Sequence, residues 1–266
     1  MSDDEAFVLF ASGAVAVVVW LIWFGRTLWI GRVRSAGRQL LLFAPFAAAA
    51  VLFVTLRALA AHDVRDDSRY IWLYFLLGAA WVGVTVRALP LLGVSPRDDV
   101  LERGNRAAAD AVSGALLALT FCFAGGNIGD GPGWWVVVFA GGLATAALFL
   151  TWAILEASSA VTETVTIDRD RAAGIRLAGF LVACGVIFGR GAAGDWVSAE
   201  LTIRDFAAVA WPAIPLLVVA AIVERSARPT PSHPQPSSFT YGVVPAAGYL
   251  VVAVLLVARL GFGLSE

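Results

Sequence analysis

The chain has 266 residues, of which 59% are hydrophobic and 15% charged, with a net charge of −1 and a mean hydropathy of +0.80. That apolar load excludes an ordinary soluble domain, and the balanced charge gives no electrostatic reason for a nucleic-acid partner. All 19 basic residues are arginine, which excludes chemistry that needs a lysine, such as a retinal Schiff base or the lysine of a phosphate-binding loop.

A helix crosses a bilayer with about 20 apolar residues. Eight stretches meet that length, at about 6–24, 39–61, 70–93, 107–126, 134–156, 172–193, 206–223 and 241–264, so the fold expected is an all-α polytopic membrane protein. Before the first span stands the acidic Ser2-Asp3-Asp4-Glu5. It lacks the basic start of a cleavable signal peptide, so the first span is expected to remain in the membrane. Arg26, Arg32, Arg34 and Arg38 follow that span, and Arg97, Arg103 and Arg106 follow the third. Arg169 and Arg171 precede the sixth, and Arg225 and Arg228 follow the seventh. Clustered arginines mark cytoplasmic loops, which places both termini outside. Arg57, Arg87, Arg190 and Arg259 lie near span ends, where a long side chain can snorkel to water. Pro45, Pro90, Pro212, Pro215 and Pro245 can bend the helices that hold them. Ser226–Thr240, SARPTPSHPQPSSFT, reads as a flexible cytoplasmic linker, which sets the last span apart.

The chain also echoes itself. Shifted by 65 residues, Arg106-Ala107-Ala108 falls on Arg171-Ala172-Ala173, Gly114 on Gly179, and Gly129-Asp130 on Gly194-Asp195. After a three-residue adjustment, Ala153-Ile154-Leu155-Glu156 falls on Ala221-Ile222-Val223-Glu224. The expectation is a tandem repeat of two-helix hairpins, 101–160 and 166–225. Each copy holds two crossings, so both insert the same way round and the repeat is parallel. Residues 1–100 then form an N-terminal three-helix region, 226–240 the linker and 241–266 the last helix.

The motifs LERGNRAAADAVSGALLALTF, GGNIGDGPGW and IDRDRAAGIRLAGFLVACGVIFGRGAAGDW, with a glutamate ending each second helix, make residues 101–225 resemble a known family. It is the bacterial inner-membrane family called domain of unknown function 350, the YjfL-like proteins. The resemblance implies paired two-helix units in a bacterial cytoplasmic membrane. Its pattern sets Asn before Ala-Ala at each entry; Asn105 fits, and Asp170 stands there in the second copy. It implies no established activity, and suggestions for the family lean on membrane stress or ion conduction.

The polar groups admit two readings each. Asp110 and Arg176 sit about one turn inside the first helix of their copies, where they either pair and fix helix register or line a conduction path. Glu156 and Glu224 end their helices against the macrodipole, so a partner is expected, either Arg106 and Arg171 or a bound cation. Asp130 and Asp195 sit in glycine-rich outer turns, where they cap the next helix, stay solvated, or draw cations into a vestibule. Trp134, Trp135 and Trp196 are expected to anchor those turns at the membrane interface. Small residues, Gly114 and Ala118 in one helix and Gly185 and Gly189 in another, suit close helix packing within the chain or in a homo-oligomer.

Nothing in the sequence forms an enzyme site. His62 and His233 lie in different loops and Cys122 and Cys184 in apolar runs, so no metal site, cofactor or catalytic set is expected. Two functions remain. The first is an ion or small-solute conduit or transporter subunit, which requires Asp110, Arg176, Glu156 and Glu224 to face one polar interior. The alternative is a non-conducting membrane scaffold or envelope-stress-response partner, in which those charges pair off.

Overall fold

A computed structural model of the protein describes residues 1–30, 36–230 and 237–261. Arg32, Arg34, His233 and the middle of the segment read as a linker lie outside the described residues. Every regular element described is helical. In chain order these are α1 (Asp3–Trp29), α2 (Ala36–Ala58), α3 (His62–Asp66) and α4 (Ser68–Thr85), which continues into a 3-10 turn (Val86–Leu92). A π turn (Pro96–Glu102) leads to α5 (Arg106–Gly125), α6 (Trp134–Ser159), α7 (Val161–Thr166) and α8 (Arg171–Ala192). Then come α9 (Ala199–Ala210), α10 (Ala213–Ser226), a second π turn (Ser238–Val243) and α11 (Val244–Leu260).

Seven of these helices are long and apolar enough to cross a membrane, the architecture of a multi-pass membrane protein. The span expected at 206–223 is corrected: it belongs to a bent pair, α9 and α10, which meet at 45° and raise the number to eight if counted as one span. Pro212 stands at the break and cannot donate the N–H that would continue the ladder. The other prolines act by position. Pro45 lies inside an unbroken α2, Pro90 inside the 3-10 turn, and Pro245 in the first turn of α11, where a missing N–H costs little. Of the segment read as linker, Ser226 ends α10 and Ser238–Thr240 open the second π turn.

The helices form two layers of opposite direction. In one, α2, α5, α8 and α11 stand side by side, α2 against α5, α5 against α8 and α8 against α11. In the other, α4 lies against α2 and α5, α6 against α5 and α8, and α9 against α8. Helix α1 leans on α4, α10 leans on α6, and the Trp81 indole donates to Thr145 Oγ1 at 3.1 Å to join α4 to α6. The bundle therefore has an arginine end and a Gly-Asp end, the latter holding Gly129-Asp130 and Gly194-Asp195.

Its centre is the α5–α8 pair. Of the apolar span in each, 78% is buried, against 17% for α1 and α11. The small residues make this contact. A methyl added to Gly125 would lie 2.0 Å from the Gly189 carbonyl oxygen, one on Gly174 would lie 2.4 Å from the Ala107 carbonyl oxygen, and one on Gly185 would lie 2.6 Å from Ala118 Cα. Backbones this close gain dispersion along their whole length and leave no room for a passage between them.

Candidate functional site

The polar cluster at the arginine end begins with two helix caps. Asn105 Oδ1 accepts from the Ala108 N–H at 3.2 Å, and Asp170 accepts from Ala172 and Ala173 at 3.0 and 3.1 Å. Both caps are buried. Asn105 also donates through Nδ2 to the Val165 carbonyl at 2.8 Å, which ties the start of α5 to α7. A polar residue just before Arg-Ala-Ala and a long apolar run is a helix-start signature, so this role was available from sequence.

One turn into α8, Arg176 is fully buried. Its Nε and Nη2 donate to the two oxygens of Glu224 on α10 at 2.9 and 2.7 Å. Its Nη1 donates to the Tyr241 carbonyl in the second π turn at 2.5 Å, and Asp170 lies 3.9 Å away. A single guanidinium thus fastens α8, α10 and the entry to α11. Both Glu224 oxygens and all three nitrogens of the guanidinium are engaged, which is how a buried charge pair meets its desolvation cost.

The pairing of Asp110 with Arg176 is therefore corrected. Asp110 lies instead between Arg106 at 3.4 Å and Arg171 at 3.5 Å, the two entry arginines of α5 and α8. The expectation that Arg106 and Arg171 hold Glu156 and Glu224 is corrected with it. Glu224 takes Arg176, and Glu156 accepts from the N–H of Thr162 at 2.7 Å and from its hydroxyl. The reason is positional. The first copy has Ala111 where the second has Arg176, so Glu156 has no buried cation to meet and closes the turn from α6 into α7. Arg225 and Arg228 donate to the Ser158 and Ser159 carbonyls at the end of α6, where the helix dipole favours a cation. Asp110, Glu156 and the Arg176–Glu224 pair are thus held by three separate sets of partners.

At the Gly-Asp end the two turns lie against each other. The Gly194 N–H donates to the Ile128 carbonyl at 2.7 Å, the Trp196 N–H to the Asp130 carbonyl at 2.7 Å, and the Asp130 N–H to Asp195 Oδ1 at 2.8 Å. Gly129 has φ +116, and a methyl there would meet the Gly194 carbonyl at 2.4 Å, so only glycine fits. The expectation that Asp130 and Asp195 cap the next helices is corrected: Gly133 precedes α6 without a side-chain cap, and Ser198 caps α9. Trp135 and Trp196 meet edge to face at 4.9 Å, Phe139 adds a second ring at 5.4 Å, and Trp134 packs on the small core beneath.

These arrangements hold helices and turns in register. Cys122 and Cys184 are buried free thiols, and among the described residues no group of three or more His, Cys, Asp or Glu is placed to hold a metal ion. No curated protein and no solved structure matches the chain. A family model does match, over residues 58–192, which is earlier at both ends than the 101–225 suggested by the motifs. The match takes in α4 and its contact with α5, ends with α8, and includes the caps Asn105 and Asp170, Arg176 and the first Gly-Asp turn. The chain belongs to the family described as Domain of Unknown Function (DUF350).

Proposed function

We propose that this protein is a non-conducting membrane scaffold, a rigid multi-pass body of a bacterial inner membrane that presents surfaces to the lipid bilayer and to protein partners, including further copies of itself. The observation that carries this reading is the Arg176–Glu224 pair, buried beside a glycine contact too close for solvent. A relay or selectivity group needs free donors or acceptors for a passing ion, and these two spend theirs on each other. The arginine clusters support a cytoplasmic arginine end with both termini outside. A duplicated hairpin is supported by α5 and α8 running side by side in one direction, each started by a buried polar cap and followed by a Gly-Asp turn.

The test is ion flux. The purified chain in liposomes is expected to pass ions no faster than empty liposomes, and Asp110→Asn and Glu224→Gln are expected to leave that rate unchanged. Flux above background that either substitution alters would favour a conduit or transporter subunit instead. Labelling of a cysteine introduced at Ser2 from the outer side only would support the orientation, and labelling from the inner side only would reverse it.

A further inference from the structure

Helix α1 packs along α4 and touches α2 little, so the two part and leave a cleft that two cavities share. One, of about 230 Å³, opens at the arginine end and is lined by Arg26, Arg87 and Arg97 beside Trp20 and Trp23. The other, of about 180 Å³, lies deeper, and its lining includes Phe24, Pro45, Phe46 and Phe75. Trp20 lines both. Its indole N–H donates to the Ala79 carbonyl at 3.0 Å and that of Trp23 to the Leu41 carbonyl at 2.9 Å, so both rings are held in place and turn apolar carbon to the cleft.

The charges at the mouth are unequal in their commitments. Arg97 is bonded to Glu102 at 3.0 Å. Asp98 also lines the mouth, but it accepts from Ser95 Oγ at 2.9 Å and lies 3.9 Å from Arg97. Arg26 and Arg87 have no carboxylate within ion-pair distance among the described residues. Two guanidiniums without an ion pair among the described residues, set over an indole-walled cavity that continues into an apolar one, suit a ligand with an anionic head and a hydrocarbon tail. Guanidinium recognises phosphate through paired N–H donors, and basic pockets between membrane helices at the cytoplasmic surface hold anionic lipid heads. Free phosphate has no use for the deeper cavity.

We propose that the α1–α2–α4 cleft binds one anionic phospholipid of the surrounding bilayer, its phosphate against Arg26 and Arg87 and one acyl chain passing Trp20 into the apolar cavity. This rests on the reading that the arginine end meets a membrane surface.

The experiment uses the full chain in nanodiscs of phosphatidylcholine carrying a minor fraction of either phosphatidylglycerol or phosphatidylcholine brominated along its chains. Quenching of Trp20 is read as the difference between the wild type and Trp20→Phe. The brominated phosphatidylglycerol is expected to quench Trp20 at roughly tenfold lower fraction than the brominated phosphatidylcholine, from two arginines near the surface. Arg26→Gln with Arg87→Gln, both exposed positions, is expected to bring the two lipids within about twofold of each other. Ala49→Phe, which puts a ring into the apolar cavity, is expected to abolish Trp20 quenching by either lipid while leaving quenching of the other tryptophans. Equal quenching by both lipids in the wild type, an unchanged preference in the double variant, or displacement of the lipid by inorganic phosphate would overturn the proposal. Quenching of no tryptophan by either lipid would overturn the membrane placement itself.

Discussion

The hairpin α5–α6 and the hairpin α8–α9–α10 begin alike and finish differently. Each starts with a buried polar cap, presents glycine and alanine to its neighbour, and turns through Gly-Asp. Helix α6 then runs unbroken for 26 residues, with Glu156 closing a turn at its end. Its counterpart breaks at Pro212, and Glu224 returns into the bundle to meet Arg176. Pro212 accounts for the break, and the different fates of the two glutamates follow from one position, where α8 has Arg176 and α5 has Ala111. A buried cation obliges the second hairpin to bring a carboxylate to it, and the first is under no such demand.

The comparison would be tested most severely at the two glutamates. Glu224→Ala strands a buried guanidinium and is expected to cost about 3–5 kcal/mol, whereas Glu156→Ala removes acceptors from a half-exposed turn and should cost about 1 kcal/mol. Unfolding of the purified protein in mixed micelles by denaturing detergent gives both numbers, and equal losses would mean that the hairpins end in the same way after all. Replacing Arg176 and Glu224 together by Met and Leu is expected to recover most of the loss.

Smaller effects sharpen the shared half of the comparison. Gly125→Ala should cost about 1–3 kcal/mol, since the new methyl meets backbone that cannot move aside. Gly142, where the added methyl would lie 3.5 Å from Trp81, is the control and should change little on the same substitution. Asn105→Ala and Asp170→Ala should each cost about 1 kcal/mol, and a cost at only one of them would deny the caps equal standing. The smallest expected change is at the joined turns. Asp195→Ala loses the acceptor for the Asp130 N–H and should cost about 0.5 kcal/mol more than Asp130→Ala, whose side chain accepts nothing from the neighbouring turn.

Hydropathy made most helices legible, because a membrane-length apolar run has few other readings. The close approach of α5 and α8 was also legible, from glycines and alanines at helical spacing. Rotational phase was not. Small residues surround α8, so sequence alone leaves open which face meets α5. In the structure Gly174, Ala178, Gly185 and Gly189 face α5, while Arg176 and Gly179, three apart, share the side toward α11. That rotation carries Arg176 away from Asp110. The prolines likewise look equivalent in sequence, and only their place within a turn separates Pro212, which breaks a span, from Pro245, which starts one.

Arg176 and Glu224 are 48 residues apart, and that interval has a consequence for biogenesis. The ribosome delivers the cation first. Until the second hairpin is finished, α8 must enter the bilayer with that charge met only by Asp170 at 3.9 Å and without its two close bonds to Glu224, which weighs against stable insertion. Completion of α10 then becomes the event that commits the nascent chain to its mature topology. A chain stopped after Ala192 should stay extractable from membranes or be degraded, and it should regain stable insertion when Arg176→Leu is introduced.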